Sequence, residues 1–160
     1  MIPIRTNARA IKVFLKSGKF EISFDLIPKQ NDHGRLEIEL AEDNGNRPVR
    51  IWFADDGFIY TLDGEMTTRI RKYDKDELPG FQLKIHDRRF ELSINENVID
   101  LGKGKGGNFA VPVDSLSRIS FRTGKYRYRG TGGLDLKNAD EMVHEAVYLL
   151  DNFKYNLSTK

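Results

Sequence analysis

The chain has 160 residues, of which 39% are hydrophobic and 31% are charged, a composition that predicts one soluble globular domain and excludes a disordered chain. Its 26 basic and 24 acidic residues leave a formal net charge of +2, so no overall field favours nucleic acid or an anionic membrane. The longest apolar stretch near the C-terminus, Ala146 to Leu150, is far shorter than the roughly 20 residues that cross a bilayer. We therefore expect neither a nucleic-acid partner nor membrane insertion.

Cellular location is only weakly constrained by the sequence. There is no cysteine, which excludes a disulfide framework and a cysteine-based zinc site and leaves the redox compartment open. The start, Met1 to Arg5, lacks the basic-then-apolar pattern of a secretory signal. The protein is then either cytoplasmic or a secreted or periplasmic protein whose signal is missing from this sequence, and we prefer the second alternative for the reason given below.

In chain order, alternating apolar and polar residues mark a series of strands with one face on the core. The clearest of these predicted strands are Phe20 to Leu26, Leu36 to Leu40, Val49 to Phe53, Phe81 to His86, Phe90 to Ile94 and Ile119 to Phe121. Turn residues such as Asn44-Gly45-Asn46 and Asp55-Asp56-Gly57 lie between them. Many short strands joined by turns predict an all-β, two-sheet antiparallel sandwich of at least about ten strands, with no helix longer than about three turns.

The phase of the alternation predicts which side chains form the core. The expected core residues are Phe24, Leu26, Ile38, Leu40, Ile51, Leu83, Ile85, Leu92, Ile94 and Phe121. The intervening Glu37, Glu39 and Lys84 are expected on a solvated face. Glu37 and Glu39 share that face at a spacing of about 6 to 7 Å, which a glycosidase pair could use, but we interpret them as ordinary surface glutamates.

Domain bounds and one segment complete the prediction of the fold. Residues 1–17 are expected to form an N-terminal arm or a first edge strand, residues 18–156 the sandwich, and residues 157–160 a tail. Asn138 to Leu150 fits either a helix or a strand. We favour a short turn or helical segment that leads into a last strand over Ala146 to Tyr155.

Two features carry the candidate chemistry. In the run from Phe121 to Arg129, which includes Arg122, Tyr126 and Arg127, basic and aromatic residues interleave, so it could stack on sugar rings and pair with carboxylates. The alternative is an edge strand whose charges prevent aggregation. Trp52, the sole tryptophan, lies in the polar phase of its strand beside Arg50 and is either a sugar platform or a packing residue.

The order of elements resembles the concanavalin A-like lectin/glucanase superfamily, the jelly-roll sandwiches that include laminin-G-like modules and glycan-binding domains. The carriers of the resemblance are Lys19 to Leu26, Leu36 to Leu40, Asp56 to Tyr60, Phe90 to Asn95 and Leu150 to Phe153. The resemblance implies a domain of a glycan-degrading bacterium that contacts glycans, is exported and is joined to a catalytic module. It also implies a structural Ca²⁺ at Asp151, for which a hydrogen bond to nearby backbone is the alternative.

A second resemblance is to alginate-lyase-type jelly rolls. Phe121-Arg122-x-Gly124-x-Tyr126 is similar to the tyrosine-bearing strand of those enzymes, and Lys84-Ile85-His86 partly matches their Gln-Ile-His segment. The resemblance implies Tyr126, His86 and Arg122 as catalytic residues of β-elimination on a uronic-acid glycan. Lysine stands in place of the family glutamine at position 84, and Arg127 and Tyr128 replace the residues that follow the family tyrosine.

These observations predict a carbohydrate-binding or accessory lectin-like domain that contacts a polysaccharide, either acidic or neutral, on one sheet. The expected contacts are Trp52, Tyr60, His86, Arg122, Tyr126 and Arg127. A small polysaccharide lyase and a structural or protein-interaction module are the alternatives. We expect no cofactor other than the structural Ca²⁺ at Asp151, and an acidic glycan fits the arginines best, because guanidinium pairs bidentately with carboxylate.

Overall fold

A computed structural model describes residues 2–5, 9–17, 19–63, 66–86, 89–99, 107–108, 116–123 and 146–157 of the chain. These residues form strands and connecting segments, and no helix occurs among them. The strands are β1 (Ile2–Arg5), β2 (Arg9–Ser17), β3 (Phe20–Pro28), β4 (Leu36–Glu42), β5 (Val49–Phe53), β6 (Phe58–Asp63), β7 (Met66–Lys72), β8 (Gly80–His86), β9 (Arg89–Ile94), β10 (Asn97–Val98), β11 (Gly107–Asn108), β12 (Leu116–Thr123) and β13 (Val147–Leu157).

The strands form two antiparallel sheets. Sheet A has the order β1-β13-β3-β8-β9-β10, and β11 also pairs with β9. Sheet B has the order β2-β12-β4-β5-β6-β7. Successive strands often change sheet, as β2, β3 and β4 do, which is the connectivity of a jelly-roll sandwich.

The core lies between the two sheets and is built from the apolar phase of each strand. Along β3, Phe20, Ile22, Phe24 and Leu26 are buried and the residues between them are half-buried. The ring of Phe24 in sheet A meets the ring of Phe121 in sheet B edge-on, with centroids 5.1 Å apart. Such interdigitation of side chains from two inner faces is what joins the sheets of a sandwich.

The predicted phase of the core is confirmed. Ten predicted core residues are each at most 2% exposed: Phe24, Leu26, Ile38, Leu40, Ile51, Leu83, Ile85, Leu92, Ile94 and Phe121. The expectation for the glutamates of β4 is wrong, because Glu37 and Glu39 are 0% and 2% exposed. They do point away from the core, but basic side chains of neighbouring strands cover them.

Both ends of the chain contribute strands. β1 lies at one edge of sheet A and β2 at one edge of sheet B, so residues 1–17 supply a strand to each sheet. The predicted last strand is present as β13, which runs to Leu157 and lies between β1 and β3. The turn or helical segment expected over 138–145 lies outside the described residues. In the described part of the chain, no helix has the length and apolar character needed to span a membrane.

Candidate functional site

The outer face of sheet B carries a row of polar and aromatic side chains across neighbouring strands. The register places Arg122 of β12 beside Glu37 of β4, Glu37 beside Trp52 of β5, and Trp52 beside Tyr60 of β6. All four residues lie in the phase opposite to the core residues of their strands. Antiparallel partners in one phase lie about 5 Å apart, so these side chains form one continuous surface.

Glu37 is the centre of this surface. Its Oε2 accepts a hydrogen bond from Nη2 of Arg122 at 2.8 Å, and its Oε1 lies 3.0 Å from Nη2 of Arg35. Nη2 of Arg50 lies 3.6 Å from Oε2. The Glu37 side chain is fully buried, whereas the three arginine side chains keep 19 to 23% of their surface exposed. We call Arg35, Glu37, Arg50, Trp52 and Arg122 the arginine cluster.

A second carboxylate extends the cluster along β4. Oε1 of Glu39 accepts a hydrogen bond from Nη1 of Arg47 at 2.9 Å, and Nε of Arg50 lies 3.7 Å from the same oxygen. Arg50 therefore lies between the two glutamates. Four guanidinium groups thus surround two carboxylates, and the carboxylate of Asp55 lies close enough to act on Arg35 as well.

The charges of the cluster perturb its pKa values. Burial alone would raise the pKa of Glu37, but the hydrogen bond from Arg122 and the charges of Arg35, Arg122 and Arg50 outweigh it, so the pKa lies below the ordinary glutamate value. Burial, with the nearby arginines, lowers the pKa of Arg35. A guanidinium remains protonated at neutral pH even so, and the cluster keeps its net positive charge.

Trp52 and Tyr60 form the aromatic side of the surface. The guanidinium carbon of Arg35 lies 3.6 Å from the centroid of the Trp52 ring, a close cation–π contact that covers part of one ring face. The Tyr60 hydroxyl donates to Oδ2 of Asp56 at 2.5 Å, and this hydrogen bond raises the pKa of Tyr60. A 340 Å³ pocket lies beside the cluster and is lined by Arg35, Trp52, Ala54, Asp55, Tyr60 and Thr67.

The structure brings together some of the predicted contacts and separates others. Trp52, Tyr60 and Arg122 share the outer face of sheet B. His86 ends β8 and is exposed on the outer face of sheet A, so the expectation that it joins the others on one sheet is wrong. The chain crosses between the sheets after β7, which a strand pattern alone does not reveal. Tyr126 and Arg127 lie outside the described residues.

The same placement corrects two interpretations of Arg122. Both sheets of the sandwich separate Arg122 from His86, so these two residues cannot act on one sugar as a lyase would require. Nor does Arg122 protect a sheet edge, because β12 lies between β2 and β4. Glu37 and Glu39, which share a face as a glycosidase pair would, are each held by arginines.

Two arginines of the cluster, as well as Glu37, were not among the predicted contacts. Arg35 directly precedes β4, and Arg50 lies opposite Glu39 on β5. A signal for them exists in the sequence, since Arg35 and Arg50 each lie two residues from an outer-phase residue of the site, Glu37 and Trp52. The contribution of Arg122 needs the pairing of β12 with β4, which joins segments far apart in the chain.

The predicted calcium position has a local hydrogen bond. Oδ1 of Asp151 accepts from the backbone nitrogen of Asn152 at 2.9 Å. Within the described ranges, no group of three or more His, Asp or Glu side chains is arranged to hold a metal ion. A structural Ca²⁺ at Asp151 stays a prediction.

The strand order defines a jelly-roll sandwich, and a comparison of sequences gives the family. A sequence profile described as "Sialidase-like, CBM domain" matches residues 6–135. The chain belongs to this family, and it is a carbohydrate-binding, lectin-like domain of the concanavalin A-like type. No protein among the curated sequences matches it.

Solved structures show the same fold at low sequence identity. A sialidase is 23% identical with a TM-score of 0.79, over 94% of this chain and 14% of its own. Sheep galectin-11 is 10% identical with a TM-score of 0.60, over 92% of this chain and 96% of its own. An alginate lyase from Alteromonas sp. 272 is 13% identical with a TM-score of 0.57, over 89% of this chain and 73% of its own. The chain thus spans about one seventh of the sialidase that it resembles.

Proposed function

We propose that the arginine cluster binds the carboxylate of an acidic sugar, of the sialic acid class. One observation carries the proposal: three partly exposed guanidinium groups surround one fully buried carboxylate. The exposed parts of these guanidinium groups would bind a sugar carboxylate through charge-assisted hydrogen bonds.

Preorganisation of the arginines supports this proposal. A free arginine loses side-chain entropy when it binds a ligand, but Arg35 and Arg122 are already held by Glu37, and Arg35 also lies on the Trp52 ring. The 340 Å³ pocket beside Trp52 and Tyr60 is large enough for one sugar unit and offers ring surface to its apolar side. The similarity of the chain to a sialidase is consistent with a sialoside as ligand.

A charge-matched pair of ligands tests the proposal. By isothermal titration calorimetry, we expect methyl α-N-acetylneuraminoside to bind at least about tenfold more tightly than its methyl ester, which lacks the negative charge. Arg122→Ala should reduce that difference, because it removes one of the three guanidinium groups. Arg89→Ala is the matched control, because Arg89 is exposed and belongs to sheet A. Equal affinity for acid and ester, or equal loss in both variants, would contradict the proposal.

We propose further that the domain serves a sialidase catalytic domain and is exported with it. Support comes from the family and from the much greater length of the sialidase that it resembles. An antibody against this domain, applied to culture medium and to cell extract, tests both points. We expect a band in the medium well above the 18.4 kDa of this chain, with sialidase activity in the same immunoprecipitate. An 18 kDa band confined to the cells would contradict the proposal.

A further inference from the structure

The outer face of sheet A carries an open groove that the cluster on sheet B does not use. It has a volume of 840 Å³ and runs across the adjacent strands β13, β3 and β8 to the turn after β9. We call it the amide groove and define it by Asp25, Gly80, Gln82, Asn95 and Asn152, all of which line it. The two sheets separate it from Arg122 and Trp52.

Hydrogen bonds within the protein fix the polar side chains of the amide groove. Oδ2 of Asp25 accepts from Nδ2 of Asn152 at 2.7 Å, and Oδ1 of Asn95 accepts from the backbone nitrogen of Gly80 at 2.7 Å. Gln82 donates from Nε2 to Glu21. Each amide thus has a set orientation, with further donor or acceptor capacity for a ligand.

The backbone of the rim is in an unusual conformation. Four described non-glycine residues have a positive φ, and three of them line the amide groove: Asn95 at 50°, Glu96 at 66° and Asn152 at 50°. Asn95 and Glu96 form the two-residue turn between β9 and β10, in which glycine usually takes the second position. A glutamate with a positive φ is strained, and strained backbone conformations are found more often at binding sites than elsewhere.

Gly80 keeps the floor of the groove open. It lies opposite Asp25 in the register of β8 with β3, and a Cβ added there would come within 3.3 Å of Oδ1 of Asp25. Any side chain at position 80 would therefore crowd the carboxylate of Asp25, whose hydrogen bond orients Asn152. The missing side chain leaves space for a ligand directly above Asp25.

The chemistry of the lining indicates the class of ligand. Side-chain amides and a carboxylate are the groups that bind pairs of sugar hydroxyls, and Leu78, which is 55% exposed, offers apolar surface to a C–H face. The described lining carries two carboxylates, Asp25 and Glu96, against one ammonium, Lys154, so it repels an anionic sugar. We infer that the amide groove is a second carbohydrate site, which binds a neutral sugar residue through its hydroxyls.

Nuclear magnetic resonance on the whole chain tests the inference, with lactose as the neutral probe. Saturable ¹H–¹⁵N shift changes are expected at Gly80, Gln82 and Asn95. Gln82→Ala and Gly80→Ala should each weaken lactose binding by about tenfold, since one removes an amide and the other fills the floor. Lys84→Ala, on the same face and strand but outside the groove, should leave it unchanged.

The outcomes separate this inference from the proposal for sheet B. Lactose shifts that persist in Arg122→Ala and disappear in Gln82→Ala would support the amide groove even if sialosides do not bind. The inference is overturned if neither lactose nor N-acetyllactosamine shifts the groove amides up to the solubility limit. Shifts confined to sheet B, or an equal loss in Lys84→Ala and Gln82→Ala, would also overturn it.

Discussion

Strands β3 and β4 have the same alternating sequence pattern but different outer faces. In β3 every second residue is half-buried, whereas all seven residues of β4 are buried. The difference comes from the neighbours, because Arg50 and Arg122 fold over Glu37 on β4, whereas Gly80, which has no side chain, leaves Asp25 on β3 partly exposed. Alternation therefore tells which side chains avoid the core, but the adjacent strands decide which of them reach water.

The inner faces of the two sheets should behave alike. Ile38 in sheet B and Leu83 in sheet A are 1% and 0% exposed. Ile38→Ala and Leu83→Ala should each lower the free energy of unfolding by about 2 to 5 kcal/mol, because each leaves a cavity in the core. Urea denaturation measures both values, and a loss below about 1 kcal/mol in one sheet would mean that its inner face is loosely packed.

The outer faces should differ in their response to loss of one charge. Glu37→Gln leaves three arginines without their common partner and should cost about 3 kcal/mol in urea denaturation. Glu21→Gln, the matched change on β3, should cost less than about 0.5 kcal/mol, because its side chain is partly solvated and glutamine can still accept from Gln82. An equal loss of free energy of unfolding in both variants would show that Glu37 does not hold the three arginines in place.

The pH dependence of stability sharpens the same contrast. The pKa of Glu37 is lower in the folded protein than in the unfolded chain. Its contribution to the free energy of unfolding is therefore fully present above the pKa of the unfolded state, and it is lost as the pH falls through the pKa of the folded state. The stability difference between wild type and Glu37→Gln should stay constant from neutral pH to near the ordinary value of 4.5 and shrink below it. A difference that shrinks already between pH 7 and about pH 6 would contradict a lowered pKa.

The smallest expected effect concerns the rim of the amide groove. Glu96 has a φ of 66°, which glycine adopts without strain, so Glu96→Gly should raise the free energy of unfolding by about 0.5 kcal/mol despite the greater freedom of glycine in the unfolded chain. Glu91→Gly, inside strand β9, is the control and should be destabilising. Thermal unfolding of both variants gives the sign of each change.

The sequence predicted the core well because period-two alternation carries it directly. It was less informative for β2, where Ile11, Val13 and Leu15 follow the alternation but lie on the exposed face. The sequence also did not show which sheet each strand joins. The chain crosses from sheet B to sheet A after β7, so His86 lies on a different sheet from Trp52. The arginine cluster depends on a hydrogen bond between residues 85 positions apart, a register that no local pattern specifies.

The pairing of the first two strands constrains the order in which the protein can fold. Among the described strands, β1 pairs with β13 alone and β2 with β12 alone. On a ribosome, both N-terminal strands must therefore wait until the C-terminal part of the chain has emerged. Since contacts between distant segments form slowly, we expect most of the sandwich to close only after β12 and β13 have emerged from the ribosome. The arginine cluster, which needs β12, would then bind its ligand only on a chain that has been synthesised past Thr123.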